Sequence, residues 1–208
     1  MKKTKRSKKS RSWVIKQHRD QFYKKSKVLG YRSRSAFKLI ELNKKYNFIK
    51  SNTLLLDIGC SPGGWSQVAK QVIKKGKIVS IDLKHMENLE GVKFIKCNFM
   101  DPDSQSKILS IFNGKIDVIL SDMAANTTGN RTLDCIRTNL LGAEVINNGS
   151  KMLKSNGTLI VKLFMGEDFL EVKNIAKKKF KKVDFFKPES SRGESKETYI
   201  HCNSLKAL

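Results

Sequence analysis

The sequence has few cysteines, and those that it has lie far apart. Cys60, Cys97, Cys135 and Cys202 form no Cys-x-x-Cys pair, and none of the three histidines clusters with them. Structural zinc sites need closely grouped ligands, and a disulfide framework needs paired thiols. The sequence therefore predicts no metal site and no disulfides. Free thiols are typical of a protein from a reducing compartment.

Long apolar runs are also missing. No run approaches the roughly 20 residues that span a bilayer, and the basic N-terminus lacks the apolar region of a secretory signal. We therefore expect no membrane association and a cytoplasmic location. The matrix of an organelle stays open as an alternative, because the first eleven residues hold seven lysines and arginines and no acid.

Acidic residues are scarce at the start of the chain. The 208 residues carry 42 lysines and arginines against 19 acids, a net charge of +23, and residues 1–50 hold 18 of these cations but only two acids. The positive electrostatic field of such a segment attracts polyanions, and nucleic acid is the common polyanion. We predict a disordered basic tail over residues 1–11 and a basic nucleic-acid-binding extension over residues 12–50. Lys2–Arg11, Arg32 and Arg34 are expected on phosphates.

What the chain does have, after residue 50, is a regular alternation of strand and helix patterns. The predicted strands are Leu54–Ile58, Ile78–Ile81, Val92–Ile95, Ile116–Ser121, Thr158–Phe164, Lys182–Phe186 and Thr198–Cys202. The predicted helices are Trp65–Lys75, Ser104–Phe112, Leu133–Leu153 and Asp168–Phe180, and another one starts near Ser33. Such alternation favours an α/β fold with a mostly parallel seven-stranded sheet. Because little chain separates the last two strands, they are expected to form an antiparallel hairpin at the sheet edge.

A glycine-rich turn follows the first of these strands. The strand contains Asp57, and then come Gly59, a Pro-Gly-Gly turn that includes Gly63, and Trp65 at the start of a helix. A strand that enters a helix through such a turn is how α/β proteins bind adenine-containing cofactors. Neither Gly-x-Gly-x-x-Gly nor Gly-Lys-Ser/Thr occurs, so a diphosphate ligand is disfavoured.

Polar residues end the strands that follow. Asp82 stands 23 residues after Gly59, a spacing that suits a carboxylate on a ribose diol. Asn98 ends the third strand and has an oxygen for an adenine amino group. Asp122 ends the fourth strand, where ligands of open α/β sheets bind.

Lys162 lies within the apolar strand Thr158–Phe164. A charged lysine is costly to bury, so it must meet a carboxylate, face a cleft or lose its proton. Glu197 precedes the last strand and Lys38 lies in the basic extension. The sequence alone does not bring these groups together.

The chain resembles the FtsJ family of S-adenosylmethionine-dependent RNA ribose 2′-O-methyltransferases from about Ser12 to Cys202. Five segments in the same order and spacing support the resemblance: Tyr31-Arg-Ser-Arg-Ser-Ala-Phe-Lys, Asp57-Ile-Gly-Cys-Ser-Pro-Gly-Gly-Trp-Ser-Gln, Ser121-Asp-Met-Ala-Ala-Asn, Val161-Lys-Leu-Phe and Pro188-Glu-Ser-Ser-Arg-x-x-Ser-x-Glu-x-Tyr.

The resemblance implies a Rossmann-like class I methyltransferase sandwich over residues 51–208, forming one globular unit with the chain from residue 12. It implies a catalytic tetrad of Lys38, Asp122, Lys162 and Glu197, with Lys162 as the proton acceptor. The cofactor residues that it implies are Gly63, Trp65, Asp82, Asn98 and Asp122, beside the turn residues Asp57 and Gly59. Asn98 departs from the family, which usually has Asp there, so the adenine contact is expected to differ.

The implied substrate is a uridine 2′-hydroxyl of large-subunit ribosomal RNA on an assembled subunit, and the implied state is a monomer. Transfer RNA, a messenger cap or a small molecule are alternative substrates. An inert ribosome-assembly factor and a dinucleotide-dependent oxidoreductase are the alternatives from other classes. The charge of residues 1–50 disfavours a small molecule, and the missing Gly-x-Gly-x-x-Gly disfavours the oxidoreductase.

Overall fold

The computed structural model describes residues 20–207. The predicted basic tail over residues 1–11 and the first part of the predicted extension, residues 12–19, lie outside the described residues. The strands are β1 (Leu54–Ile58), β2 (Lys77–Asp82), β3 (Lys93–Lys96), β4 (Ile116–Ser121), β5 (Leu153–Phe164), β6 (Phe180–Phe186) and β7 (Glu197–Leu205). The helices are α1 (Gln21–Val28), α2 (Ala36–Tyr46), α3 (Gly64–Val72), α4 (Pro102–Phe112), α5 (Arg131–Met152) and α6 (Phe169–Lys179).

The seven strands form one sheet in the order β3-β2-β1-β4-β5-β7-β6. β1 to β5 pair in parallel, and β7 runs antiparallel to both of its neighbours. The predicted mostly parallel sheet with an antiparallel edge hairpin is confirmed. The order reverses between β1 and β4, and the carboxyl ends of these strands form the usual ligand-binding edge of an open α/β sheet.

Several element boundaries differ from the prediction, among them the start of β5 and the start of α2. β5 begins at Leu153 because that residue pairs with Ile116, although the register shifts before the regular pairing from Thr158 onward. The helix predicted from Ser33 begins only at Ala36, because the Ala36 and Phe37 N–H groups donate to the carbonyls three residues earlier, as in a turn. α1 was not predicted, and it is capped by Asp20, whose carboxylate accepts the Phe22 and Tyr23 N–H groups.

Helices cover both faces of the sheet, each over its own apolar core. α4, α5 and α6 pack on one face, and α2 and α3 pack on the other. Leu39 and Leu42 of α2 have no exposed surface. The part of the basic extension that contains α2 therefore belongs to the core of the folded unit, and α2 lies on the face where the side chains of the functional site converge. None of the helices in residues 20–207 is long and apolar enough to cross a bilayer.

Candidate active site

A cavity of about 670 Å³ opens at the carboxyl ends of β1 to β4. Four predicted cofactor residues line it: Gly59, Asp82, Asn98 and Asp122. Apolar side chains form much of the remaining wall, among them Leu83, Phe99, Met100, Met123 and Leu140. The volume lies within the range of about 300–1,000 Å³ that small-molecule sites occupy. Carboxylates beside an apolar wall suit a cofactor with a ribose and an adenine ring.

Gly59 is needed for the close approach of two chain segments at the cavity. Its φ is +75°, and a Cβ added there would lie 2.4 Å from Cγ of Met123, the residue after Asp122. The Gly59 N–H also donates to the carbonyl of Ile81 at 2.9 Å. The turn after β1 is thereby fixed against the ends of both neighbouring strands.

Asp82 is held by the backbone around it. One carboxylate oxygen accepts the Ser61 N–H at 2.9 Å, and the other accepts the Lys84 N–H at 2.8 Å. These bonds orient the carboxylate within the cavity wall. Asn98 is exposed, and the oxygen that we expected to meet an adenine amino group accepts the Met100 N–H at 3.0 Å. A second acceptor site on that oxygen is left for a ligand.

Three predicted cofactor residues are not part of the cavity lining: Asp57, Gly63 and Trp65. Asp57 is buried and accepts the Ser66 hydroxyl at 2.7 Å, and its burial raises the pKa of the carboxyl group to about 7. The Asp57 side chain is thus bonded within the fold, and its contact with the cofactor stays a prediction. Gly63 forms the N-cap of α3, and the Trp65 indole N–H donates to the Ser35 carbonyl at 2.8 Å.

The four residues of the predicted tetrad form two ion pairs. Lys162 Nζ lies 3.1 Å from a carboxylate oxygen of Asp122, and it also donates to the Asp122 carbonyl at 2.5 Å. Lys38 Nζ lies 2.6 Å from a carboxylate oxygen of Glu197. All four side chains are less than one-fifth exposed. Each buried charge therefore has an opposite charge in contact, as its desolvation requires.

Strand register explains why the pairs meet. In the antiparallel pairing of β5 with β7, Lys162 faces Tyr199 and Phe164 faces Glu197. Since alternate side chains share one face of a sheet, Lys162, Tyr199 and Glu197 lie on the same face. α2 covers that face and supplies Lys38.

Tyr199 connects the two ion pairs, and we did not predict it. Its hydroxyl donates to Asp122 at 2.6 Å, and its ring centroid lies 5.8 Å from Lys38 Nζ. The motif Glu-x-Tyr at Glu197 is the signal that could have found it, because residues two apart on a strand share a face.

Electrostatics at Asp122 and Tyr199 favour one protonation state. Burial opposes the charge on Asp122, but Lys162, Lys38 and the Tyr199 hydroxyl outweigh burial and lower the pKa of the carboxyl group. Burial, with Asp122 and Glu197 nearby, raises the pKa of Tyr199 well above its ordinary value. Asp122 is thus a carboxylate and Tyr199 a hydrogen-bond donor. Within residues 20–207, no cluster of histidine, cysteine and acidic side chains could hold a metal ion.

Two arginines that we expected on phosphates have protein partners instead. The Arg32 guanidinium donates to the carbonyls of Glu87 and Asn88, both at 2.7 Å. Arg34 pairs with Asp20 and donates to the Ser190 carbonyl. Both guanidinium groups thus join segments of the fold, and the phosphate contacts stay predictions.

The chain matches the model of the FtsJ-like methyltransferase family over residues 31–205. It is similar to the ribosomal RNA large subunit methyltransferase E of Pelagibacter ubique, with 46% identity over 95% of this chain and 97% of that protein. The protein of the same name from Rickettsia akari is 41% identical over 94% of this chain and 89% of its own length.

Solved structures share the fold. A crystal structure described as a ribosomal RNA methyltransferase from Plasmodium falciparum matches with a TM-score of 0.76 and 35% identity, covering 86% of this chain and all of that one. The human methyltransferase-like protein 13 in complex with SAH matches with a TM-score of 0.58 over 81% of this chain and 79% of that one. At 15% identity, this second match shows the fold alone.

Proposed function

The chain belongs to the FtsJ-like methyltransferase family, and we propose that it transfers a methyl group from S-adenosylmethionine to a uridine ribose 2′-hydroxyl of large-subunit ribosomal RNA. The observation that carries the proposal is the pairing of Lys162 with Asp122 and of Lys38 with Glu197 beside the cavity. Relatives that match about 95% of the chain are named for methylation of large-subunit ribosomal RNA. We further propose that the substrate is the assembled subunit.

The cavity residues would hold the cofactor. Asp82 suits the ribose hydroxyls, because its two oxygens are fixed by backbone N–H groups and keep acceptor capacity. Leu83 and Phe99 provide apolar contacts for the adenine ring, and Asn98 lies at the same wall. Gly63 and Trp65 contribute through backbone atoms at the start of α3. When bound, S-adenosylmethionine supplies a methyl group on a positively charged sulfur.

Lys162 is the group that would accept the proton. A ribose 2′-hydroxyl is a poor nucleophile until its proton leaves, so the reaction needs a general base at that oxygen. Lys162 would first lose a proton to solvent, and its Nζ would then accept the proton of the 2′-hydroxyl as that oxygen takes the methyl group from the sulfur, which is left as a neutral thioether. Asp122, held by Tyr199, fixes the Lys162 Nζ in place. Lys38 and Glu197 orient the ribose.

Exposed lysines near α2 provide a surface for the RNA backbone. Lys24, Lys25 and Lys27 of α1 and Lys44 and Lys45 of α2 are all exposed. Phosphate contacts from such side chains position nucleic acid without reading its sequence. We therefore propose that residues 12–50 bind RNA with these lysines while α2 completes the active site, and that the protein acts as a cytoplasmic monomer.

The proposal is tested by transfer of labelled methyl from S-adenosylmethionine to large ribosomal subunits from a strain that lacks this protein. Free ribosomal RNA and transfer RNA serve as alternative substrates. We expect label in large-subunit RNA with the unmodified protein and none with Lys162→Ala, although Lys162→Ala still binds cofactor by calorimetry.

The matched control is Lys107→Ala, which removes an exposed lysine of α4 and should leave transfer unchanged. Label only in transfer RNA would keep the chemistry and overturn the substrate. Retained transfer by Lys162→Ala would remove Lys162 from the role of base, and no label in any RNA would favour an assembly factor.

A further inference from the structure

The loop between β6 and β7 is attached to α2 by one carboxylate. The two oxygens of Glu41 accept the backbone N–H groups of Glu189 and Ser190 at 2.6 and 3.1 Å. A carboxylate that binds two consecutive amides fixes both the position and the direction of the chain. The contact joins residues almost 150 positions apart in the sequence, so it sets the tertiary position of the loop.

The next residue of this loop touches the tetrad. The Ser191 hydroxyl donates to Oε1 of Glu197 at 2.8 Å, and the same oxygen lies 2.6 Å from Lys38 Nζ. Ser191 and Glu197 are both buried. Because one oxygen receives both donors, the direction of the Ser191 hydroxyl helps to set where the Glu197 carboxylate stands.

Two further contacts hold the loop to residues that precede α2. Arg34 donates to the Ser190 carbonyl and pairs with Asp20, and the Arg192 guanidinium lies 3.5 Å from Asp20. The loop is thus bound on both sides of Ser191, which leaves its hydroxyl little freedom to turn away from Glu197.

We infer that Glu41 and Ser191 are positioning residues for the methyl-transfer step, and that they act by holding Glu197 against Lys38. The inference rests on the proposed function. Neither side chain touches the cavity that would hold the cofactor, so their loss should affect the chemical step and leave cofactor binding intact. A displacement of about 1 Å at a reacting group is enough to slow a positioned reaction markedly.

The kinetic test compares Glu41→Gln and Ser191→Ala with the unmodified protein on large ribosomal subunits. Gln keeps one acceptor oxygen but turns an NH₂ group towards a backbone N–H, and Ala removes the donor to Glu197. Both variants should lower kcat about tenfold, with the KM for S-adenosylmethionine unchanged, as for an interaction made in the transition state. Glu171→Gln, which makes the same charge change at an exposed position of α6, should retain full kcat.

Hydrogen exchange supplies a readout that does not need activity. In Glu41→Gln the amides of Glu189 and Ser190 should exchange at least tenfold faster, while in Glu171→Gln they should exchange as in the unmodified protein. Unchanged exchange in Glu41→Gln would overturn the inference whether or not the protein methylates RNA. Normal kcat in both variants, or a loss expressed only in KM, would overturn it too. An unmodified protein that transfers no methyl group would instead overturn the proposed function.

Discussion

At the scale of single residues, Lys162 shows how this fold accommodates a cation inside a sheet. The side chain is only 8% exposed and lies within the apolar second half of β5, between Leu159 and Phe164. An unpaired ammonium group there would be strongly unfavourable. The Asp122 carboxylate and carbonyl satisfy it from the end of the neighbouring strand. The cost of burial thus explains why Lys162 and Asp122 must occur together.

Gly59 gives a prediction at this scale. Gly59→Ala adds a Cβ that would meet Met123 at 2.4 Å, in a left-handed conformation that L residues rarely adopt. We expect the free energy of unfolding to fall by about 1–3 kcal/mol and cofactor affinity to drop, because Gly59 and Met123 both line the cavity. Urea titration and calorimetry measure the two effects.

Gly30→Ala is the control that separates backbone strain from steric contact with Met123. Gly30 has a similar φ of +71°, but a Cβ there would meet no atom within 4 Å. Its variant should lose some stability and keep cofactor affinity. Equal losses of affinity in both variants would show that contact with Met123 is unimportant.

At the scale of elements, Arg32 ties two loops of the cavity together. It donates to carbonyls between β2 and β3, and it lies against Gly63 of the glycine turn, where an added Cβ would come within 2.9 Å of it. Arg32→Met should therefore weaken cofactor binding about tenfold, since several charge-assisted hydrogen bonds are lost. Calorimetry with SAH measures the cofactor affinity of the variant.

The same variant distinguishes a structural role of Arg32 from contact with RNA. If Arg32 only joins the loops, the salt dependence of RNA binding stays as in the unmodified protein. If the slope of log affinity against log salt concentration falls by about one while cofactor affinity stays normal, Arg32 contacts a phosphate, as the sequence predicts. Arg131→Met, at an exposed arginine of α5, is the control for loss of one cation.

The contact between α2 and β7 makes stability depend on pH. His201 stacks on Tyr46 with 3.9 Å between ring centroids, and burial lowers its pKa, assisted by Lys182 and Lys45 and opposed by Asp184. As the pH falls below about 6.5, His201 binds a proton in the unfolded chain before it does so in the folded protein. The stability that neutral His201 contributes is therefore lost as the pH falls to the lower pKa of the folded state. Asp57 acts in the opposite direction, because burial raises its pKa to about 7 and its protonation stabilises the fold as the pH falls. The contribution of His201 is therefore measured as the difference in urea midpoint between the unmodified protein and His201→Gln at pH 7.5 and at pH 5.5.

His201→Gln isolates this contribution, because glutamine does not titrate. The variant should be less stable than the unmodified protein at pH 7.5, having lost the stack, and this difference in urea midpoint should shrink at pH 5.5. An unchanged pH dependence would assign the effect to other groups.

At the scale of the whole molecule, charge is distributed unevenly. Residues 1–50 hold most of the net charge, and α1 and α2 present exposed lysines beside the tetrad face. RNA affinity should therefore fall steeply with salt as phosphate contacts release counterions. Filter binding across a salt series measures the slope, and a flat response would argue against phosphate-dominated binding.

A pair of charge reversals tests where the RNA lies. Lys24→Glu with Lys27→Glu on α1 should reduce the slope by about two, near one for each lost phosphate contact. Lys177→Glu with Lys178→Glu makes the same change on α6, which covers the opposite face of the sheet. This second pair should leave the slope nearly unchanged.

The sequence by itself determined the strands, the sheet class and the residues at the strand ends. Apolar runs and glycine turns act locally, so β1 and β4 were predicted with their observed boundaries. The family motifs also named the four residues that the structure brings together as two ion pairs. Asp82, Asn98 and Asp122 could be assigned to one edge because parallel strands end together.

Only the tertiary structure decided which side chains touch. Tyr199 joins the ion pairs through the register of β5 with β7, and Glu41 fixes a loop almost 150 residues away. Arg32 and Arg34 look like phosphate ligands in a basic segment, yet the fold brings carbonyls to their guanidinium groups. Such contacts depend on strand register and helix placement, which are set by packing over the whole sheet and leave little trace in local sequence.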